Sequence, residues 1–205
     1  MKIILEQIGR RFNREWIFRN INYEFESGNS YAVLGSNGAG KSTLLQVISG
    51  SLSSSEGKIS HMHGDTLIDQ EKVYIQQSMA APYLELIEEF TLTELIDFHF
   101  RFKKYRQGLN RQGVIELLGL KNSEFKAIKY FSSGMKQRVK LALAFCSDTD
   151  LLLLDEPASN LDQQGLDWYL SLASTFSSDR LLLICSNQEQ EYSFCSHQIN
   201  IADYK

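Results

Sequence analysis

Gly35-Ser36-Asn37-Gly38-Ala39-Gly40-Lys41-Ser42 sets three glycines, a lysine and a hydroxyl in the spacing GxxxxGK[ST]. That spacing suits the phosphates of a nucleoside triphosphate. Glycines reach backbone angles closed to other residues, so their amides can approach a phosphate chain. Such amides form an anion nest, and a following helix points its positive dipole end at the same place. Lys41 adds a full charge at the β/γ-phosphates, and the Ser42 hydroxyl is placed to bind Mg²⁺. Ser36, Asn37, Ala39 and Thr43 complete the binding stretch. A metal-holding carboxylate is expected at Asp155, which ends the run Leu151-Leu152-Leu153-Leu154. Glu156, beside it, can orient and polarise an attacking water.

These groups need elements to position them. Ser30-Tyr31-Ala32-Val33-Leu34 reads as a strand entering the glycine loop, and Ser42 to Ser49 as a helix with apolar Leu44, Leu45, Val47 and Ile48, closed by Gly50. Strand, glycine loop, helix is the setting the chemistry requires. The four-leucine run and Leu181-Leu182-Leu183-Ile184 are uninterrupted apolar segments, as strands buried on both faces are. Strands of that kind alternating with helices give an α/β fold. Ile3-Ile4-Leu5, Ile21 to Phe25, Lys58 to Gly64 and Gln198 to Ile201 read as further strands, and so does Val73-Tyr74-Ile75, ending at Gln76-Gln77. From Thr91 to Leu120 the spacing turns helical: Leu95, Phe98, Phe102 and Tyr105 share one face, and Val114, Ile115, Leu117 and Leu118 mark a second helix stopping near Gly119. Ser132 reads as the N-cap of a third, with Met135, Val139, Ala142, Leu143 and Cys146 along its apolar side.

A length of 205 residues and a 43% apolar fraction fit one domain with a sizeable core. The formal charge of −4 with no basic block argues against nucleic acid as the main partner; Arg101 to Arg106 reads as a solvated face. No run approaches the ~20 apolar residues of a membrane span, and no signal peptide is visible. Cys146, Cys185 and Cys195 are scattered, as suits reduced thiols in a cytosolic protein. His61-Met62-His63 lacks the further ligands of a metal site and reads as a weak one at most.

Taken together the residues resemble the ATP-binding cassette (ABC) family. The motifs run in the family's order along nearly the whole chain: the P-loop Gly35 to Ser42, a Q-loop glutamine at Gln77 (Gln76 competing), the signature Phe131-Ser132-Ser133-Gly134-Met135, the Walker B strand Leu151 to Glu156 and a D-loop Ser159-Asn160-Leu161-Asp162. The resemblance implies a P-loop NTPase (RecA-like) core with an N-terminal antiparallel β subdomain and an α-helical subdomain inserted at about 78–135, all in one ABC ATPase domain spanning 1–205. It implies ATP and Mg²⁺ as cofactors and a head-to-tail homodimer, or pairing with a second ABC subunit. In that dimer Ser132 and Gly134 of one copy meet the γ-phosphate held by the other. Gln77 would touch Mg²⁺ or the attacking water and sense the transport partner, and Asp162 would link the two sites. Phe12 matches the family's adenine-stacking position, with Trp16 as the alternative. A separate membrane-spanning subunit is implied, its cytosolic helix received between Q-loop and helical subdomain. The chain then sits in the cytoplasm, at the inner face of the membrane.

Two departures stand out. The family's LSGGQ is Phe-Ser-Ser-Gly-Met here, so Met135 lacks the hydrogen bonds of a glutamine. After Leu181 to Ile184 the family carries a switch histidine, and this chain has Asn187. An amide can bond a phosphate but carries no titratable charge. The expected activity is ATP hydrolysis through Lys41, Glu156, Gln77 and Asn187, driving a transporter of export type, with the heme-exporter branch as one form. The alternatives are a soluble ABC ATPase acting on ribosomes or DNA, and a module in which ATP drives assembly without hydrolysis.

Overall fold

The computed structural model describes residues 1–205. A long hairpin of β1 (Lys2–Phe12) and β2 (Glu15–Glu26) opens the chain, and β3 (Ser30–Leu34) runs into the glycine loop and α1 (Lys41–Ile48). Strands β4 (Glu56–His63) and β5 (Thr66–Ile68) return to the hairpin, giving an antiparallel sheet in the order β2-β1-β4-β5. The second sheet takes β6 (Gln77–Ala80), β7 (Leu151–Asp155), β8 (Leu181–Cys185) and β9 (His197–Asn200) around β3, in the order β6-β7-β8-β3-β9. All its pairings are parallel. Every residue of β7 and β8 is buried, as the uninterrupted leucine runs require of strands covered on both faces.

Three apolar clusters fix the layers. The first joins the antiparallel sheet to α1 and one face of the parallel sheet, through Ile3, Phe25, Leu44, Ile48, Leu153 and Leu183. The second fills the opposite face with α4 (Ser133–Cys146) and α5 (Gln163–Phe176), through Phe145, Tyr169, Leu152 and Ile184. The third is the helical layer of α2 (Leu92–His99), α3 (Arg111–Leu118) and again α4. Helix α4 serves two clusters because Leu141 and Phe145 face the sheet while Val139, Leu143 and Cys146 face α2 and α3. A short α6 (Glu189–Tyr192) follows β8. No helix is long and apolar enough to cross a membrane.

The local stops follow from the sequence. Thr91 and Glu94 form a reciprocal capping box at α2, Asn110 accepts from the Gly113 amide at α3, and Ser132 accepts from the Met135 amide at α4. Two expected elements differ. Val73-Tyr74-Ile75 is not a strand: residues 70–76 wind as a 3₁₀ helix and the strand begins at Gln77. Only Val73 of the three is buried, Tyr74 being 62% exposed, and the half-buried Lys103 ammonium gathers the carbonyls of Tyr74, Ile75 and Gln77 at the junction. The aromatic stripe also breaks, because α2 ends at His99. Phe102 is left 70% exposed, and Tyr105 stacks on Phe100 with ring centroids 3.6 Å apart instead of continuing a helical face.

Candidate nucleotide-binding site

The order β7-β8-β3 sets three strand ends side by side, so the glycine loop after β3, Asp155 at the end of β7 and Asn187 just after β8 share one edge of the sheet. In open α/β sheets ligands bind at that edge. An open cleft there is lined by Ile17, Asn37, Gly38, Gly40, Lys41, Ser42, Thr43 and Glu156. Gly40 stands at φ 109°, and a Cβ on it would lie 2.4 Å from Ile17 Cγ2, so only glycine lets the loop press this closely on β2. No side chain caps the first amides of α1, which are left free for an anion.

Lys41 is buried, and its ammonium donates to the carbonyls of Gly35 (2.7 Å) and Ser36 (3.3 Å) and to Asn187 Oδ1 (3.0 Å). The Asn187 amide in turn donates to Asn37 Oδ1. Asn187 thus bridges the lysine and the loop, where a histidine was the expected type. Beneath them the fully buried Cys185 thiol donates to the Lys41 carbonyl at 3.4 Å.

Asp155 is 2% exposed and its Oδ1 has no hydrogen-bond partner. Burial foremost, then the Glu156 charge, pushes its pKa up, while the Ser42 hydroxyl bonded to it and the Lys41 charge pull the other way. An orphaned carboxylate oxygen beside a hydroxyl is a donor set that fits a hard cation such as Mg²⁺. Glu156 lies just beyond in the left-handed region, φ 44°, with its amide held by the Cys185 carbonyl at 2.8 Å. Its side chain reaches the same cleft.

Gln77 does not reach this place. It starts β6 and pairs with Leu151, whereas Ala80 pairs with Leu154. Three residues of strand, about 10 Å, separate it from the level of Ala80. Its Nε2 donates to the Ser49 carbonyl at the end of α1 (2.9 Å), and its Oε1 is buried without a partner. The shift follows from residues 70–76 winding as 3₁₀, which moves the start of the strand onto Gln77 itself; Gln76 closes that 3₁₀ turn and is no substitute. Burial first, then the charge of Asp155, raises the pKa of Tyr83, which lies beyond β6.

Neither aromatic candidate lines the cleft. Phe12, at the hairpin tip, is 45% exposed with the Arg10 guanidinium 4.4 Å from its ring centroid, and Trp16 lies under Arg19 (4.2 Å) and Arg11 (5.4 Å). The wall contributed by β2 is Ile17, which periodicity gave no reason to single out. Ser132, Ser133, Gly134 and Met135 line a separate pocket with Arg138, Asn160, Leu161, Asp162 and Gly165. A Cβ on Gly134 would lie 2.9 Å from the Asn160 carbonyl, so this glycine lets the signature approach the D-loop of its own chain. Asp162 caps α5 by accepting from the Gly165 amide at 2.8 Å. His61 and His63 have separate partners, the Ile48 carbonyl (2.7 Å) and Asp150 (2.9 Å). Glu191 was not foreseen: it is 1% exposed, its Oε1 accepts from the Ala158 amide at 2.9 Å, and it ties the loop bearing Asn187 to the turn after Glu156. An acidic residue in a short polar run reads as solvated, so the sequence carries no signal for it.

The sequence profile of the ABC transporter family matches residues 18–159. The chain belongs to the ABC transporter family. It is 31% identical over 196 residues to the energy-coupling factor transporter ATP-binding protein EcfA1 of Thermotoga maritima, covering 94% of this chain and 74% of that one. It is 33% identical over 172 residues to the molybdate/tungstate import ATP-binding protein WtpC of Thermococcus kodakarensis, covering 80% and 50%. Among solved structures it matches the cassette MJ0796, a dimer in a post-hydrolysis state bound to ADP and Pi, with a TM-score of 0.80 at 18% identity over 97% of this chain and 93% of that one. The fold is that of an ABC ATPase cassette, and the ABC domain is an ATP-binding ATPase.

Proposed function

We propose that this chain is the ATPase subunit of an ABC transporter and works as a head-to-tail dimer in which each ATP lies between the glycine loop of one copy and the Ser132–Gly134 pocket of the other. The observation that carries this reading is the division of the site. The cleft holds Lys41, Ser42 and Glu156, while the signature lines a different pocket of the same chain. Each pocket is half of a phosphate site. Ser42 and Asp155 would hold Mg²⁺, which would supply positive charge against the β/γ-phosphates. The chain's own groups do the rest: loop amides and Lys41 bind the phosphates, Glu156 orients water, and Asn187 keeps Lys41 and Asn37 in register.

The membrane-spanning partner fits the apolar groove of Leu86, Ile87, Leu95, Phe98, Phe102 and Leu143, between the segment after β6 and the helical layer. Paired in this way, the cassette would sit at the inner face of the membrane. No residue of the site favours export over import, and a relative named for import stands among those matched. Substrate specificity belongs to the membrane partner.

The test is Glu156→Gln. Removing the general base while keeping the shape should leave ATP binding intact and arrest hydrolysis, so the variant with ATP and Mg²⁺ should elute as a dimer. A monomer at every ATP concentration, with nucleotide bound, would sink the shared-site reading.

A further inference from the structure

The turn after β7 carries Glu156 in a backbone conformation that a glutamate does not adopt freely. Its φ is 44°, in the left-handed region, and Pro157 follows it. A residue with a Cβ is strained there, and a following proline narrows its choices further. Such a conformation persists only where the surroundings over-determine it. The main chain supplies part of that support. The Glu156 amide donates to the Cys185 carbonyl (2.8 Å), the Glu156 carbonyl accepts from the Ser159 amide (3.0 Å), and the Ala158 carbonyl accepts from the Leu161 amide (3.0 Å). Two polar groups of the turn are left to side chains. Gln137, 3% exposed in the second turn of α4, donates through Nε2 to the Pro157 carbonyl at 2.8 Å. Glu191, at the other arm, accepts from the Ala158 amide at 2.9 Å. Glu191 is itself fixed through its backbone: its amide donates to the Gln188 carbonyl (2.9 Å), and its carbonyl accepts from the buried Tyr169 hydroxyl of α5 (2.8 Å). Neither Gln137 nor Glu191 lines the cleft.

We propose that Gln137 and Glu191 form a clamp on the peptide groups of Pro157 and Ala158 that keeps the Glu156 carboxylate aimed into the cleft, which makes both of them positioning residues for hydrolysis. One arm comes from the helix that begins behind Ser132, the other from the short helix that follows Asn187. The inference rests on the role given to Glu156 above. It assigns neither residue a contact with nucleotide. ATP affinity should therefore not depend on the clamp, whereas the rate should, because a reacting group displaced by about 1 Å can lose roughly a hundredfold.

The test uses the full chain. ATP Kd is taken from titration calorimetry and the rate from single-turnover hydrolysis with protein in excess, at a temperature where thermal unfolding shows each variant folded. Gln137→Met and Glu191→Met keep the bulk and lose the hydrogen bond; Gln137→Asn and Glu191→Asp keep the polar group and shorten its reach. We expect the Kd of all four to stay within about twofold and the rate to fall by roughly tenfold to a hundredfold. Glu191→Gln keeps an acceptor oxygen at the same reach and should retain most of the rate. Leu118→Ala, in the helical layer, should lower the Tm without that loss of rate. Wild-type rates in Gln137→Asn and Glu191→Asp overturn the inference. So does a Kd weakened as much as the rate, a loss in Glu191→Gln equal to that in Glu191→Met, or a rate that tracks Tm across all variants, Leu118→Ala included. If Glu156→Gln hydrolyses ATP like wild type, the role of Glu156 itself falls and this inference with it, an outcome distinct from silent clamp variants.

Discussion

Asn187 holds the Lys41 ammonium at 3.0 Å and Asn37 on its other side, so the cradle is braced before any phosphate arrives. An incoming γ-phosphate must replace these bonds, and the amide can follow it as either donor or acceptor. Because an amide does not titrate, this position adds no step to the pH–rate profile. Asn187→His introduces a group with an ordinary pKa near 6.5, and hydrolysis by that variant should change through roughly pH 6–7 where wild type does not. Coincident profiles would show that position 187 does not limit turnover. The residues that hold the phosphates were legible because type and spacing are the chemistry: Gly35 to Ser42, Asp155 and Glu156 meet at one edge. Gln77 was misplaced because side-chain type says nothing about strand register.

Among the elements, the helices carry the most exposed energetic liabilities. Arg180 is 1% exposed and donates to the carbonyls of Phe176 (2.7 Å), Ser147 (3.2 Å) and Phe145 (2.9 Å), closing the ends of α4 and α5 together. Arg180→Met keeps the bulk and strips two buried carbonyls and one part-buried carbonyl of their partner, which should cost about 3 kcal/mol, measured by denaturant unfolding. His99, at the end of α2, is held neutral because burial, aided by the Lys103 charge, lowers its pKa to about 4. The unfolded chain titrates near 6.5, so the unfolded state takes up the proton first as pH falls. The contribution of His99 to stability is therefore present above about 6.5 and is lost on acidification from there toward 4. His99→Gln should flatten that limb of the stability curve. The leucine strands and the cap at Ser132 were readable because burial on both faces and unpaired helix amides demand those residue types. The 3₁₀ turn at 70–76 was not, because Lys103 reaches its end from 26 residues away, and the early end of α2 was not, because the Phe100–Tyr105 stack replaces the helical spacing with a local one.

At the scale of the molecule, α4 carries Ser132 at its start and Lys140 in its middle, and shares walls with both the sheet and the helical layer. One rigid element thus supports both the signature pocket and the turn at 81–84. The fold class was legible from alternating elements, and the family resemblance already implied a site divided between two copies; the structure adds that the glycine loop and the signature line separate pockets of one chain. The turn at 81–84 also behaves as a gauge of length. Between the cleft and the groove the chain has a fixed number of links and no slack, being fastened by Lys140 and by the Ala81–Leu84 bond. Two glycines inserted between Leu84 and Glu85 should leave the basal hydrolysis rate near wild type and erase any response of that rate to the membrane partner, measured with the partner in vesicles. On the proposed transporter reading, transmission would then depend on chain tension and could be detuned without touching either end.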